Sequence, residues 1–457
     1  MEVRIDQGSM LNWNTQVDDP VLFNMFIDKE RHQNYTPSLI SVYQDQVRAV
    51  HETPFDGVSY IVVTTTEILR VKPSGAKTTL HTILTTGMDV DITENNKNQV
   101  TIVDGKTAYV IEQQNSDNVV ELSPSQSFPL LNPISCATIN NFTVILDGNT
   151  GQWVISDANN AISYADFAVA IQVIDGSLSK AIAVRSINNN IFIFGTTGIE
   201  RYEPTLNVNI YLFPLQKDMN FKINFGAIST SSVVANINTI YFLSSRFIPI
   251  SLDAKGFSEL LPDNGQNERD ESGIAREIAS YPDVKEAKGA FYTFLGNFFY
   301  QLTFETSAKT WVYCINSKTF ANIDDYIIGA AFNTPYVITS DGLYSLSTVP
   351  AYKKRLWISE DIEIKKGQQP SQGLVNGGEL FLTQGSEQPV RDDYIGLSLS
   401  LDRRTWTNNV TARIGNTGDF NYRTIWPCNI ACRFVKLRTQ YYGTYPLTIE
   451  GFELNLI

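Results

Sequence analysis

The residues of this chain whose types could do chemistry are few: four cysteines, three histidines and some pairs of adjacent aspartates in 457 residues. Cys428 and Cys432 have the C-x₃-C spacing of half a zinc site, but no second Cys or His pair follows to complete the tetrahedron. Cys136 and Cys314 sit far apart in apolar runs, where a thiol behaves as a small buried hydrophobe. His32, His51 and His81 all lie in the first 81 positions. A Ser-His-Asp constellation is therefore not expected, and no G-x-S-x-G, H-E-x-x-H or phosphate-binding glycine loop occurs. The carboxylate pairs are harder to set aside, because glycoside hydrolysis needs two acids about 5–9 Å apart. Asp324-Asp325 and Asp392-Asp393 are the candidates by type. Both fall in turn-like stretches, where aspartate is common because its side chain bonds nearby backbone. The expectation is no catalytic, cofactor-binding or metal-binding residue.

The elements that would have to position any site read as β structure. Tyr (21) and Phe (25) are abundant, alongside Ile, Val and Thr, and these suit a half-buried pleated surface. Short apolar runs flank turn signals throughout. Ser59–Val63 faces Glu67–Val71. Gln99–Val103 and Thr107–Glu112 flank Asp104-Gly105, while Phe142–Leu146 and Gln152–Ser156 flank Asp147-Gly148. Ile191–Phe194 precedes Ile199–Tyr202, Phe291–Leu295 precedes Phe298–Phe304, and Tyr336–Thr339 and Leu343–Ser347 flank Asp341-Gly342. From Gly105 to Gly148 is 43 residues, from Gly148 to Gly195 is 47, and from Gly195 to Gly342 is 147, three times 49. Antiparallel units repeating every 40–50 residues are the signature of propeller blades. The hairpins suggest six or seven, with a large β-sandwich as the alternative.

The organisation expected is an extended N-terminal arm at 1–40, a β-propeller-like domain at 41–355 and a C-terminal β-sandwich at 356–457. The arm carries one apolar patch, Val21–Ile27, too short to bury a core alone. Residues 264–287 break the β pattern with Ile274, Ile278 and Ala279 at helical spacing, read as a solvated helical insertion on the rim. Ser400-Leu401-Asp402-Arg403-Arg404-Thr405-Trp406 looks like the turn box of sialidase-type propellers, without its Gly and one residue short; that box is a structural turn.

Net charge is −13, with no run of Lys or Arg to neutralise phosphates, so sequence-specific DNA reading is not expected. An acidic conduit would instead repel DNA and keep it from sticking. No charged, then apolar, stretch opens the chain and no apolar run reaches about 18 residues. A soluble protein made in a cytosol, with no membrane segment, is the expectation.

Longer stretches carry a resemblance. Gln152-Trp153-Val154-Ile155-Ser156 leads to Ile162-Ser163-Tyr164-Ala165, then to Phe194-Gly195-Thr196-Thr197-Gly198-Ile199-Glu200-Arg201-Tyr202. Phe225-Gly226-Ala227, Ile240–Ser244, Phe298–Leu302 with Thr310–Tyr313, and Gly418–Phe420, Trp426 and Leu447–Leu454 follow in order. This order resembles the packaged-DNA stabilisation proteins, or tail hubs, of short-tailed phages of enterobacteria. It departs from them at 205–222 and 253–287, read as insertions in the propeller. The resemblance implies a non-enzymatic virion protein forming a homo-hexamer below the portal and its adaptor ring. It would close the DNA exit, dock tailspikes or fibres and in some cases a needle, and pass DNA on ejection. The alternatives are a propeller-type glycan hydrolase using Asp324 or Asp392, or a carbohydrate-binding module in which exposed Trp406 or Tyr441 stacks on sugar.

Overall fold

The computed structural model describes residues 2–3, 21–55, 57–83, 89–123, 127–164, 172–173, 179–205, 214–260, 273–331, 334–366, 369–370, 372–383, 394–402, 405–414, 422–444 and 446–456. They form an all-β molecule: a seven-bladed propeller joined edge to edge to a β-sandwich. Blade 1 runs Val47–Thr53, Ser59–Thr64, Glu67–Val71 and Lys77–Thr82, each strand antiparallel to the next. Blades 2 to 6 repeat this meander with inner strands Asp91–Glu94, Pro133–Ile139, Ala181–Ile187, Val234–Ala235 and Lys288–Phe294. Blade 7 has only three strands from its own stretch, Gly329–Ala330, Tyr336–Thr339 and Gly342–Ser347. Its fourth is Ser38–Gln44, from before blade 1, which pairs with Gly342–Ser347 and closes the ring.

Strands buried on both faces need apolar residues at nearly every position, and the middle strands have them: Ser59–Thr64 and Ile191–Phe194 are buried throughout. Each blade-to-blade contact accordingly holds its own apolar cluster. Trp153 is fully buried between blades 3 and 4, edge-on to Tyr202 at 5.0 Å, and truncating such a residue costs about 3–5 kcal/mol. The Asp-Gly signals lie at the turns between second and third strands of blades 2, 3 and 7, so the 147-residue interval spans three blades. In blades 2 and 3 the loops are longer than a two-residue turn, while in blade 7 Ser340-Asp341 alone joins Thr339 to Gly342. Asp104 and Asp147 act as caps, their carboxylates accepting backbone N–H groups from Lys106 and Thr107, and from Asn149 and Thr150. The two-residue turns with both φ positive are Asn188-Asn189 and Leu295-Gly296, between first and second strands.

The sandwich begins earlier than the sequence suggested, at Lys353–Ile358. One sheet holds that strand with Phe434–Gly443, Tyr394–Ser400 and Val410–Arg413; the other holds Gly373–Thr383, Tyr422–Cys432 and Thr448–Leu456. Trp357, Leu397, Leu437, Trp426, Phe452 and Leu454 fill the space between them.

The described part of the arm is built into its own chain. Val21–Phe23 lies between Thr319–Asn322 of blade 6 and Lys353–Ile358, making one ten-stranded sheet of blade and sandwich. Met25–Ile27 and Gln33–Tyr35 form a hairpin on the other sheet. Asn24, fully buried with φ 53°, pins the junction. Its Nδ2 donates to the Lys354 carbonyl at 2.9 Å, and its Oδ1 accepts the Asp324 N–H at 3.0 Å.

Two expectations change. The helical segment is no solvated excursion: in helix Gly273–Ser280, Ile274 and Ile278 are buried against Leu243 of blade 5 and Tyr300 and Trp311 of blade 6, while Ala279 faces out with Arg276 and Ser280. The stretches read as insertions also contain Leu215–Lys217 and Gly256–Glu259, the outer strands of blades 4 and 5. No described helix is long and apolar enough to cross a membrane.

Candidate functional site: the propeller axis and its funnel

The inner strands enclose an axial cavity of about 330 Å³ lined by Arg48, His51, Asp91, Arg185 and a collar of Val, Ile and Ala side chains. On the face where inner strands begin and second-to-third turns lie, it widens to a funnel of about 630 Å³. Arg48, Asp89, Asp283, Lys285, Lys288 and Glu305 line that mouth.

Polar groups along the axis bond one another across blades. The Asp91 carboxylate of blade 2 accepts from Arg185 of blade 4 at 2.5 Å. It also accepts from the Ser135 hydroxyl at 2.6 Å and the Cys136 N–H at 3.1 Å, both of blade 3. Arg185 Nε donates to the Val233 carbonyl at the entry to blade 5, at 2.9 Å. Four consecutive blades are thereby tied through one largely covered ion pair, its side chains 15% and 14% accessible. His51 Nε2 of blade 1 lies 3.0 Å from the Glu94 carboxylate of blade 2, whose other oxygen accepts from Gln113 at 2.7 Å. At the mouth, Lys288 pairs with Glu305 at 2.6 Å. Burial opposes ionisation of Asp283, but hydrogen bonds from Ser307 and Thr306 outweigh it and hold the carboxyl below its ordinary value. These carboxylates accept hydrogen bonds that fix blades and turns. A glycoside hydrolase instead needs one acid kept protonated opposite another.

The residues singled out from sequence do not converge. Asp324 and Asp325 lie where blade 6 meets the sandwich, both against Lys353, with Asp324 at 3.4 Å. Burial raises the Asp325 carboxyl and the Lys353 ammonium opposes it. Asp392 and Asp393 lie outside the described residues. Tyr441 is not exposed: it is 1% accessible and faces the sandwich core under the Arg355 guanidinium at 5.3 Å. The outward ring is its neighbour Tyr442, a one-residue difference that selects the opposite face of a strand. Trp406 is partly covered by Arg438, 4.6 Å over the indole, and the Asp402 carboxylate closes the preceding turn on Thr405. Burial raises the thiols of Cys428 and Cys432, and no metal-holding group of His, Cys, Asp or Glu occurs among the described residues. The Asp91–Arg185 pair went unnoticed in sequence because 94 residues separate its members.

The chain is similar in structure to a streptogramin B lyase, at TM-score 0.45 and 10% identity, over 68% of this chain and 98% of that one. It is also similar to the extracellular domain of BT4673 from B. thetaiotaomicron, at TM-score 0.44 and 9% identity, over 87% of this chain and 48% of that one. No curated protein matches it. Residues 40–249, from the ring-closing strand into blade 5, match the phage-stabilisation family described as Bacteriophage P22 Gp10, beta-propeller, and this supports a phage tail-associated protein.

Proposed function

We propose that the chain is a ring subunit of a short phage tail, a non-enzymatic hub of six copies below the portal and its adaptor. The hub retains packaged DNA, carries the tailspikes or fibres, and conducts DNA at ejection. The family match over residues 40–249 carries this reading. The build of the molecule suits it. A subunit that must withstand a pressurised genome gains from a closed propeller welded to a sandwich by one continuous sheet.

The genome path in this reading is the shared axis of the ring and not the hole in each propeller. A cavity of about 330 Å³ holds on the order of ten waters at about 30 Å³ each. It cannot admit a duplex whose major groove alone is about 12 Å wide. The net charge of −13 suits a wall along which DNA slides without sticking.

The test is to mix the full chain with portal–adaptor complex and image the product by negative-stain microscopy. A six-fold ring seated on the adaptor supports the reading. A chain that stays monomeric and ignores the adaptor overturns it.

A further inference from the structure

The sandwich sheet that continues blade 6 sets its outward side chains in rows across the strands. In the register that places Ile395 opposite Tyr441, Tyr394 comes opposite Tyr442, and Lys354 and Arg413 complete that row. Leu356, Gln440, Gly396 and Thr411 form the second row. In the third, Arg438 stands beside Ser398 with its guanidinium 4.6 Å over the Trp406 indole. Cross-strand partners share a face, and the opposite face carries the buried Trp357, Leu397, Leu437 and Tyr441.

The apolar surface offered by the first two rows is two neighbouring phenol rings. Tyr394 is 51% and Tyr442 50% accessible, while Leu356 is half-buried. Neutral hydrogen-bonding groups surround the rings. Among the described residues, nothing hydrogen-bonds the Tyr394 or Tyr442 hydroxyl or the Gln440 side-chain amide. Thr411 and Asn409 are exposed, and Asn409 Oδ1 accepts the Ser398 hydroxyl at 3.4 Å, which leaves Nδ2 as a donor. Beside Tyr394 the surface drops, because Gly396 has no side chain and a Cβ there would collide with the Asn409 amide. With strands about 4.8 Å apart and about 3.4 Å per residue, two rows on three strands span about 10 by 7 Å.

A tyrosine is apolar on its ring and polar at its tip. Two such rings side by side on a shallow surface, edged by amides and hydroxyls, match a chain of sugars, which presents C–H faces and hydroxyl edges. The centre of a protein contact is more apolar than two rings and a glycine provide.

We propose that this face of the sandwich binds a polysaccharide chain. Its sugar rings stack on Tyr394 and Tyr442, and its hydroxyls bond Gln440, Asn409 and Thr411. The site stands on the geometry of one copy and needs neither the ring nor the adaptor. In a tail hub it gives the particle a grip on the cell surface.

The test applies the full chain, fluorescently labelled, to an array of bacterial surface polysaccharides and titrates the strongest as an oligosaccharide. Saturable binding is expected. Tyr442→Ala is expected to weaken it roughly tenfold, and Tyr394→Ala with Tyr442→Ala roughly 100-fold, from the loss of one and two stacked rings. Tyr442→Phe keeps the ring and is expected to keep most of the affinity. Nitration by tetranitromethane gives a second reading on the wild type, independent of how any variant folds. Bound oligosaccharide is expected to protect Tyr394 and Tyr442 and to leave Tyr326, exposed on blade 6, reactive. Binding to no polysaccharide, or binding that survives loss of both rings and leaves them unprotected, would overturn the proposal. A wild type that ignores every glycan, with a double variant that no longer seats on the portal–adaptor complex, would make the face a protein contact and overturn it too. None of these glycan results bears on whether the ring forms.

Discussion

Replacing Asp91 by Ala removes the acceptor that ties blades 2, 3 and 4 at the propeller axis. The side chains of Asp91 and Arg185 are 14% and 15% accessible, so the change strands a nearly buried guanidinium. Breaking a fully buried pair by deleting one partner costs about 3–5 kcal/mol. Water in the axial cavity lowers that to about 2–3 kcal/mol, while the orphaned Cys136 N–H adds about 1 kcal/mol or more. A net loss of about 3 kcal/mol is expected for Asp91→Ala. Replacing both partners with apolar residues, Asp91→Leu with Arg185→Met, is expected to cost much less than the sum of the single changes. The coupling should be about 2 kcal/mol, within the range for residues in one network. The assay is urea unfolding followed by tryptophan fluorescence, with hydrogen exchange of inner-strand amides as a local readout, since a chain this long need not unfold in one step. A loss below about 0.5 kcal/mol with additive single changes would refute the inference that this pair holds the inner strands together.

Asn24→Ala should destabilise the junction of blade 6 and sandwich by about 2–4 kcal/mol, because it orphans the Lys354 carbonyl and the Asp324 N–H and leaves a left-handed φ on alanine. Asn24→Gly, which relieves only the φ, should lose less; limited proteolysis at the junction compares them. Ile278→Ala in the wedge helix should cost about 2–4 kcal/mol, as for a core methylene deletion, and a melting temperature unchanged from wild type would place that helix outside the blade 5–6 core. Burial opposes ionisation of Asp147, but hydrogen bonds from Thr150, Asn132 and Asn149 outweigh it and depress its carboxyl, as similar bonds depress Asp283. A depressed folded value means the stabilisation is complete above the ordinary aspartate value of 3.8 and is lost as pH falls from there through the folded values. The urea midpoint should therefore hold from pH 7 to about pH 5 and fall on further acidification, less steeply in Asp147→Asn; a fall centred near neutrality would contradict the assignment.

The propeller was legible wherever a turn carries its own chemistry. Asp104, Asp147 and Asp341 marked turns at a constant phase, and the constant phase is what a ring of blades imposes. The Asn188-Asn189 turn is as strong a hairpin signal by physics, but it lies between strands buried on both faces, whose unbroken apolar runs hide where one strand ends. Blade closure was not legible. Ser38–Gln44 pairs with a strand some 300 residues later, and nothing local in SLISVYQ distinguishes the last strand of an arm from the last strand of a ring. The same holds for Val21–Phe23, whose apolar patch was visible but whose seat between two other strands was not. Long sandwich strands such as Gly373–Thr383 were obscured by bulges at Val375–Gly377 and Phe381–Leu382, which interrupt the alternation a reader looks for. For the site, sequence excluded more than it located. It gave the types of Asp324, Asp325 and Tyr441 but not their faces, and it could not pair Asp91 with Arg185 across two blades.

The central claim is that this chain assembles as a six-fold ring on the portal–adaptor complex. Light scattering of that complex before and after saturation with the chain measures it most directly. The expected gain is six copies of the 51.2 kDa subunit. No gain in mass, or a gain of a single copy, would contradict it.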